Sequence, residues 1–188
     1  MLIILTVLLL KLFNNKLNVA TLTKCGKFSI TELNVMYNTV EIIGADAKTF
    51  TCVGEDFGKD RTSVYFEENK IQYADPATFK ILNFGFSIDT HYVFMPNFYI
   101  PNGSKIIHQV DPTSFIPFSE YISKDCCHVY IINEYGELIV RDDVDAATFT
   151  KLGLYYFADK THLYDLSLNE IAALDTLKVS ANDLLYGE

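Results

Sequence analysis

The sequence predicts a mainly β, β-rich α+β fold, built as tandem antiparallel hairpin repeats with one short helical turn in each repeat. Three observations predict it. Two aspartate motifs recur along the chain at a constant spacing of 14 residues. The composition includes 12 Tyr and 14 Phe but no Trp, and these aromatic side chains suit the half-buried surface of a pleated sheet. Hairpin turn signals also separate short apolar segments.

The composition is that of a folded chain with an acidic surface. The 188 residues are enough for one domain or a short repeat array, and 49% of them are apolar against 21% charged. The net charge of -9, without a Lys/Arg cluster, disfavours nucleic-acid binding, because phosphate backbones need a basic footprint. Acidity on this scale favours solubility and a basic partner.

The N-terminal segment, residues 1–27, begins with an apolar stretch over residues 1–10 that only Thr6 interrupts. This stretch is shorter than the roughly 20 residues of a membrane-spanning helix. It has the length of a signal-peptide core, but no positive residue precedes it and no small-residue cleavage site follows. Three interpretations stay open: a degenerate signal or anchor with N-terminal membrane association, a buried first element, or a start codon placed inside a longer gene.

The repeat is visible when residues 57–79 are aligned with residues 28–50 at an offset of 29 without a gap. The first motif is Asp-x-x-Thr/Ser-Phe, and its leading aspartates are Asp46, Asp75, Asp111 and Asp145. The second is an Asp four residues before a Val/Leu-aromatic pair, and these trailing aspartates are Asp60, Asp89, Asp125 and Asp159. Each trailing aspartate follows a leading one by 14 residues, whereas the return distance varies between 15, 22 and 20. One half of the unit therefore has a constant length and the other accepts insertions, as in repeat arrays.

The elements of one repeat follow from local signals. Asp75-Pro76 predicts the start of a short helical turn, with Asp as N-cap and Pro at the first helical position. This turn would bury Phe79 and Ile81. The trailing aspartate would open a tight turn between two strands, since its carboxylate can accept backbone N–H groups two residues on. Strands are predicted at residues 84–88, at 64–66 and, as a short third strand, at 71–73.

The longer copies carry longer hairpins in their variable half. Asn102-Gly103 is a strong hairpin signal, and Asn133–Gly136 separates apolar segments at residues 129–132 and 138–140 in the same way. Four to five units with irregular ends favour a solenoid-like curved array over a closed propeller.

The C-terminal segment, residues 165–188, departs from the repeat. Ser167 to Glu170 resembles a capping box, and Ile171, Leu174 and Leu177 follow at helical spacing. We therefore expect a C-terminal capping helix that covers the last repeat. The array itself spans residues 28–164, divided into units 28–56, 57–85, 86–121 and 122–155 and a partial unit 156–164.

The candidates for chemistry are weak. Cys25, Cys52, Cys126 and Cys127 show neither a disulfide framework nor a zinc spacing, and we interpret them as buried thiols. The repeated aspartates are separated by whole repeats, unlike the ligands of an EF-hand, which favours turn and capping roles over calcium binding. His128 and His162 share a repeat position at a turn, which does not indicate a metal site. We predict no catalytic residue, no cofactor and no metal ligand.

The units resemble the DKNYY repeat family of bacterial proteins. The resemblance rests on Phe57-Gly58-Lys59-Asp60 through Val64-Tyr65-Phe66, followed by Ala74-Asp75-Pro76-Ala77-Thr78-Phe79, with weaker copies at residues 123–130 and 158–164. Thr31 replaces the trailing aspartate in the first copy. The resemblance implies a bacterial origin and often an exported or envelope-associated setting, and it transfers no catalytic or binding residues.

The functional expectation is a noncatalytic bacterial repeat protein that binds a protein partner. Phe98, Tyr99 and Tyr135 lie in the inserted hairpins and are the candidate partner-binding residues, since aromatic side chains often anchor interfaces. The alternative, that these aromatic side chains pack on neighbouring insertions, stays open. One specific version is an immunity-type protein that neutralises a toxin. The alternatives are an envelope-associated binder of a glycan or cation and, third, an uncharacterised enzyme. The oligomeric state is left open by the sequence.

Overall fold

The computed structural model describes residues 23–95 and 106–173 of the chain. Strands account for 40% of these residues and helix for 2%, which confirms the mainly β prediction. Three expectations lie outside the described ranges: the apolar stretch at residues 1–10, the inserted hairpin that carries Phe98 and Tyr99, and the chain after residue 173. Within the described ranges, no helix has the length and apolarity that crossing a membrane requires.

Five antiparallel sheets of four strands each follow one another along the chain. The first sheet comprises β1 (Thr23–Cys25), β2 (Phe28–Ile30), β3 (Val35–Tyr37) and β4 (Val40–Glu41), and the second β5 (Thr51–Cys52), β6 (Phe57–Lys59), β7 (Val64–Phe66) and β8 (Asn69–Ile71). The third comprises β9 (Lys80–Ile81), β10 (Ser87–Ile88), β11 (Val93–Phe94) and β12 (Ile106–Ile107). The fourth comprises β13 (Ile116–Pro117), β14 (Ile122–Lys124), β15 (Val129–Ile132) and β16 (Leu138–Arg141), and the fifth β17 (Thr150–Leu152), β18 (Tyr156–Ala158), β19 (His162–Tyr164) and β20 (Glu170–Ala173).

Each sheet is a meander in which strands pair in chain order, so its loops divide between two ends. The loops that join the first strand to the second and the third to the fourth share one end, which we call the hairpin end. Backbone bonds connect them there, from Glu67 N–H to Asp56 O at 2.8 Å and from Asn38 N–H to Lys27 O at 2.9 Å. The loops that carry the trailing and leading aspartates share the opposite end, which we call the aspartate end.

The core consists of four apolar clusters, each shared by two consecutive sheets. The clusters at the four junctions, in chain order, include Phe28 with Phe50, Val64 with Phe79, Phe86 with Phe115, and Ile122 with Phe149. A single four-stranded sheet of this size cannot bury its own apolar face, so each sheet depends on its neighbours. Consecutive sheets therefore pack against each other, as a tandem array requires.

The motif phenylalanine is the recurrent element of these clusters. Phe50 lies 5.2 Å from Phe28 of the preceding sheet and 5.9 Å from Tyr65 of its own sheet, measured between ring centroids. Phe79 repeats this position, 5.9 Å from both Phe57 and Phe94. Gly58 leaves room for the Phe50 ring, because a Cβ there would come within 2.2 Å of Phe50 Cζ. The Asp-x-x-Thr/Ser-Phe motif thus joins one sheet to the next.

The prediction of a helical turn in each repeat is wrong, because the segment forms a hydrogen-bonded turn and not a helix. Residues 76–78 form a hydrogen-bonded turn, closed by the N–H groups of Thr78 and Phe79 on the carbonyl of Asp75 at 3.3 and 3.0 Å. The turn does not become a helix because Lys80 and Ile81, which follow it, pair with Ile88 and Ser87 in the third sheet. Phe79 is buried as expected, but Ile81 is exposed.

The strand predictions were partly correct. The trailing aspartates do stand between two strands, and the Asn133–Gly136 turn joins β15 to β16 as predicted. The predicted strand at residues 84–88 covers only Ser87–Ile88, because Asn83–Gly85 form a 3₁₀ turn with Phe84 at a φ of 59°. The third strand of the second copy ends at Ile71 rather than at Tyr73, where φ is 64°. The first strand of each sheet was missed, since strands of two or three residues have no detectable periodicity.

The predicted capping helix is contradicted over its described part. Glu170–Ala173 form β20, which pairs with His162, Leu163 and Tyr164 of β19 and completes the fifth sheet. A short segment gains little from helical propensity alone. The open edge of β19 instead offers hydrogen bonds to the whole segment, so the strand prevails.

The interpretation of all four cysteines as buried thiols is also wrong. Cys25 and Cys52 form a disulfide with a Cα–Cα distance of 6.0 Å, which connects the first strands of the first two sheets. Cys126 and Cys127 are free and exposed. Sequence spacing could not reveal the pairing, because the two disulfide-bonded residues approach each other only when the sheets pack.

We expect that reduction of the Cys25–Cys52 disulfide destabilises the first junction. Closing a loop across 27 residues restricts the unfolded chain, which stabilises the folded state by about 3 kcal/mol in the chain-entropy view. Urea unfolding should show a comparable loss with dithiothreitol in the native protein and no further loss in the C25S/C52S variant. The C126S/C127S variant is the control and should respond to dithiothreitol like the native protein. An equal stability of native and C25S/C52S proteins would contradict this expectation.

Candidate functional site

The repeated aspartates form one hydrogen-bonding arrangement at the aspartate end of the sheets. In the second sheet, Oδ2 of buried Asp60 accepts the backbone N–H of Asp46 at 3.0 Å and the hydroxyl of Tyr65 at 2.9 Å. Oδ1 of Asp60 accepts the backbone N–H groups of Thr62 and Ser63 at 2.7 and 2.8 Å. One carboxylate therefore closes its own turn and also holds the start of the repeat.

The same bond recurs in the following sheets. We call it the aspartate bridge: the backbone N–H of a leading aspartate donates to Oδ2 of the trailing aspartate 14 residues later. The other bridges join Asp75 to Asp89 at 2.9 Å, Asp111 to Asp125 at 3.0 Å and Asp145 to Asp159 at 3.0 Å. The constant spacing in the sequence is thus the length of a hairpin whose two ends are bonded to each other.

A second bond runs beside each bridge. Thr49 Oγ1 donates to the carboxylate of Asp46 at 2.8 Å and accepts the backbone N–H of Arg61 at 3.2 Å. The hydroxyls of Thr78, Ser114 and Thr148 accept the N–H groups of Thr90, Cys126 and Lys160 in the same way. The hydroxyl in the Asp-x-x-Thr/Ser-Phe motif therefore has a defined structural role.

The first copy shows the arrangement without its carboxylate. Thr31 takes the place of the trailing aspartate, and its Oγ1 accepts the N–H groups of Leu33 and Asn34 at 3.2 and 3.0 Å. The hydroxyl thus closes the local turn, which is one half of the role of an aspartate.

The carboxylates of Asp60, Asp125 and Asp159 remain ionised to low pH. Burial by itself raises the pKa of each, but the hydrogen bonds that the carboxylates accept outweigh burial and hold each pKa below its usual range. Conversely, burial and the bond to Asp60 raise the pKa of Tyr65 to about 12. The tyrosines keep their protons and act as donors.

These bonds define what the aspartates can do chemically. The two oxygens of Asp125 accept four groups: the N–H of Asp111, Cys127 and His128 and the hydroxyl of Tyr130. A carboxylate surrounded by N–H and O–H donors has partners that a cation would have to replace. The site is therefore structural, and the tyrosine hydroxyls are its members that sequence reasoning missed. Their signal was a Tyr five residues after the aspartate in three of the four copies, with Phe94 in the other.

The remaining candidate residues are dispersed. Cys126, Cys127 and Asp125 place ligand atoms within 4.8 Å of one another, but the carboxylate of Asp125 already has its partners. His128 and His162 mainly contribute their backbone N–H groups to the adjacent turns. Tyr135 lies at the hairpin end with 77% of its surface exposed. Phe98 and Tyr99 lie outside the described residues, so their role stays a prediction.

The model of the DKNYY family matches residues 28–168, a range that includes all four aspartate bridges. The chain belongs to the DKNYY family. In this DKNYY protein the matched range extends from Phe28 in the first sheet to Leu168, which is buried against the fifth. Searches among curated proteins and among solved structures find no match.

We expect opposite effects from two tyrosine–phenylalanine exchanges. Tyr130→Phe removes the hydroxyl that donates to Asp125 and should lower the free energy of unfolding by about 1 kcal/mol. Phe94→Tyr adds a hydroxyl at the equivalent place beside Asp89 and should raise it by up to about 1 kcal/mol. Urea unfolding at neutral pH measures both. A destabilised Phe94→Tyr protein would show that the third sheet cannot form the full arrangement.

The stability of the protein should decrease in acid. A depressed pKa in the folded state stabilises the protein fully above the unfolded-state pKa of about 3.9, and this contribution is lost as the pH falls below it. Asp159→Asn should lower the free energy of unfolding by about 2 kcal/mol at pH 7, and its difference from the native protein should shrink towards pH 2. Urea unfolding at several pH values checks this. Asp142→Asn removes an exposed carboxyl and serves as the matched control; a difference for Asp159→Asn that does not change with pH would contradict the assignment.

Proposed function

We propose that this protein is a noncatalytic binder of a protein partner, and that the partner docks on the hairpin end of the fourth and fifth sheets. The observation that carries the proposal is the exposure there of large apolar side chains: 77% for Tyr135, 74% for Leu154 and 64% for Tyr155. Large apolar side chains exposed at the surface of a folded protein are typical of binding surfaces. Tyr135 lies between β15 and β16, and the other two lie between β17 and β18.

Tyr135 is held in place before any partner arrives. Its backbone N–H donates to Asn133 Oδ1 at 3.0 Å, and Gly136 N–H donates to Asn133 O at 3.0 Å. Gly136 closes the turn at a φ of 72°, a conformation that favours glycine. An aromatic side chain on an ordered turn loses less conformational entropy on binding than one on a mobile loop.

The charge of this end favours a basic partner. Glu134 and Glu137 flank Tyr135 in the same turn, and the whole chain carries a net charge of -9. Complementary charge accelerates association and rejects acidic competitors. In the third sheet β11 ends and β12 begins at the hairpin end, and Phe98 and Tyr99 lie between these two strands in the sequence.

The specific version is an immunity-type protein that neutralises a basic toxin, in an envelope-associated bacterial setting. The exposed apolar residues support a protein partner over a glycan or cation as the ligand. The trailing aspartates do not favour cation binding, because N–H and O–H donors already surround their carboxylates.

Site-specific photocrosslinking tests the surface. A benzoylphenylalanine at position 135, in the cells that produce the protein, should capture one partner, since Tyr135 would lie inside the interface. The same probe at Tyr73, which is 74% exposed but lies at the aspartate end, is the matched control and should not capture it. Capture should decrease in high salt and in a Tyr155→Ala background.

Equal capture at both positions, or no capture at position 135, would contradict the proposed surface. If the captured protein arrests growth when produced alone but not together with this chain, the immunity version is supported. If the captured protein is not toxic, partner binding would still be supported, but the neutralisation of a toxin would be excluded.

A further inference from the structure

Lysine side chains connect two of the four sheet junctions at the aspartate end. Lys59, which precedes trailing Asp60, places Nζ 2.6 Å from the carbonyl oxygen of Pro76 in the next turn. Lys124, which precedes Asp125, places Nζ 2.9 Å from the carbonyl of Ala146 and 3.1 Å from that of Phe149. Pro76 and Ala146 both directly follow a leading aspartate. In these two copies the repeat therefore binds an ammonium group at a backbone carbonyl of the following turn.

The third junction has the backbone carbonyl that would accept this hydrogen bond, but it has no lysine to donate it. Ile88 precedes Asp89 where the other copies have Lys59 and Lys124, and Pro112 follows the next leading aspartate. The Pro112 carbonyl accepts no hydrogen bond from the described part of the chain. A cavity of about 410 Å³ lies here, lined by both turns, and its walls include Ala77, Thr78, Ile88, Thr90, Pro112 and Thr113.

The absence of the lysine alone does not create this cavity. At the first junction Ile30 takes the same position, and there it packs with Ala47, the residue after leading Asp46, against one apolar cluster. At the third junction Ile88 also packs against the junction cluster, around Phe86 and Tyr130, but Pro112, the residue after leading Asp111, is not among the residues packed there. Pro112 and Ile88 therefore both line the open cavity.

The charges around the cavity suit a cation. Asp89 contributes to its wall, and leading Asp75 and Asp111 directly precede the turns that line it. Lys80 is the one cationic residue among the lining residues. Hydrogen bonds from Thr78 and from Ser114, respectively, hold the pKa of Asp75 and of Asp111 below the usual range, so both stay negative near neutral pH.

We propose that this cavity binds a primary ammonium group on an alkyl stem, presented as the lysine side chain of another polypeptide. The ammonium would donate to the Pro112 carbonyl, as Lys59 Nζ does to Pro76, and the stem would lie along Ile88. This site is at the aspartate end, so it is separate from the surface under Proposed function and does not depend on it.

The probe is N-acetyl-lysine N-methylamide, titrated into the isotopically labelled protein and followed by amide chemical shifts. Saturable shifts should appear at Thr78, Thr90 and Thr113. The norleucine analogue, which has an alkyl chain without the ammonium, should bind at least about tenfold more weakly, because a hydrogen bond from a charged donor contributes about that factor. Equal binding of the two probes would overturn the proposal.

Ile88→Lys should supply the missing ammonium from within the chain. We expect it to raise the melting temperature and to weaken probe binding at least about tenfold, whereas Ile88→Leu, the apolar control, should bind like the native protein. If Ile88→Lys does not fold, Ala77→Phe at the exposed wall of the cavity should block the probe instead. Unchanged binding in the folded blocking variant would refute the site.

Cadaverine distinguishes a free diamine from a lysine side chain. Binding of cadaverine that is more than tenfold tighter than that of the lysine probe would overturn the polypeptide version. Crosslinking at position 135 should be the same in the Ile88→Lys protein, so a failure of this site and a failure of the hairpin-end surface are separable.

Discussion

The hydrogen bond from the backbone N–H of a leading aspartate to the carboxylate of a trailing aspartate is the constraint on which each repeat depends. It joins the two ends of a hairpin, from Asp46 to Asp60 in the second sheet and from Asp145 to Asp159 in the fifth. One added residue would move the carboxylate by about 3.3 Å and reverse the face of every side chain beyond it. The length of this hairpin is therefore constant, although its sequence is not.

The bridge also positions the residues that join one sheet to the next. The motif phenylalanine follows the leading aspartate by four residues, so the bonded turn directs Phe50 or Phe79 into the junction with the preceding sheet. The lysine before the trailing aspartate reaches the following turn, as Lys59 reaches Pro76. Burial of one such phenyl ring stabilises the fold by about 1.5 to 3 kcal/mol. Local hydrogen bonding and packing between sheets thus depend on the same few residues.

The two ends of the array differ in structure. The aspartate end consists of buried carboxylates and bonded turns, where the constant half of each repeat closes. The bridge encloses the first two strands of a sheet, whereas the loop between the third and fourth strands lies outside it, so the variable lengths occur at the hairpin end. Exposed Tyr135, Leu154 and Tyr155 lie there, on turns that the packed sheets hold in place. The partner binding that we propose would use this end of the array.

The sequence by itself determined the features that depend on short-range signals. The recurring aspartates predicted the repeat, and Asn133 and Gly136 predicted a hairpin turn. Only the tertiary structure decided the rest. Glu170–Ala173 became a strand because the edge of β19 was open to it, and Cys25 met Cys52 because two sheets pack. The hydroxyl of Tyr65 and the ammonium of Lys59 found partners across a turn or a junction. Contacts between segments distant in sequence have no local signature, because the energy that selects them arises only when the sheets come together.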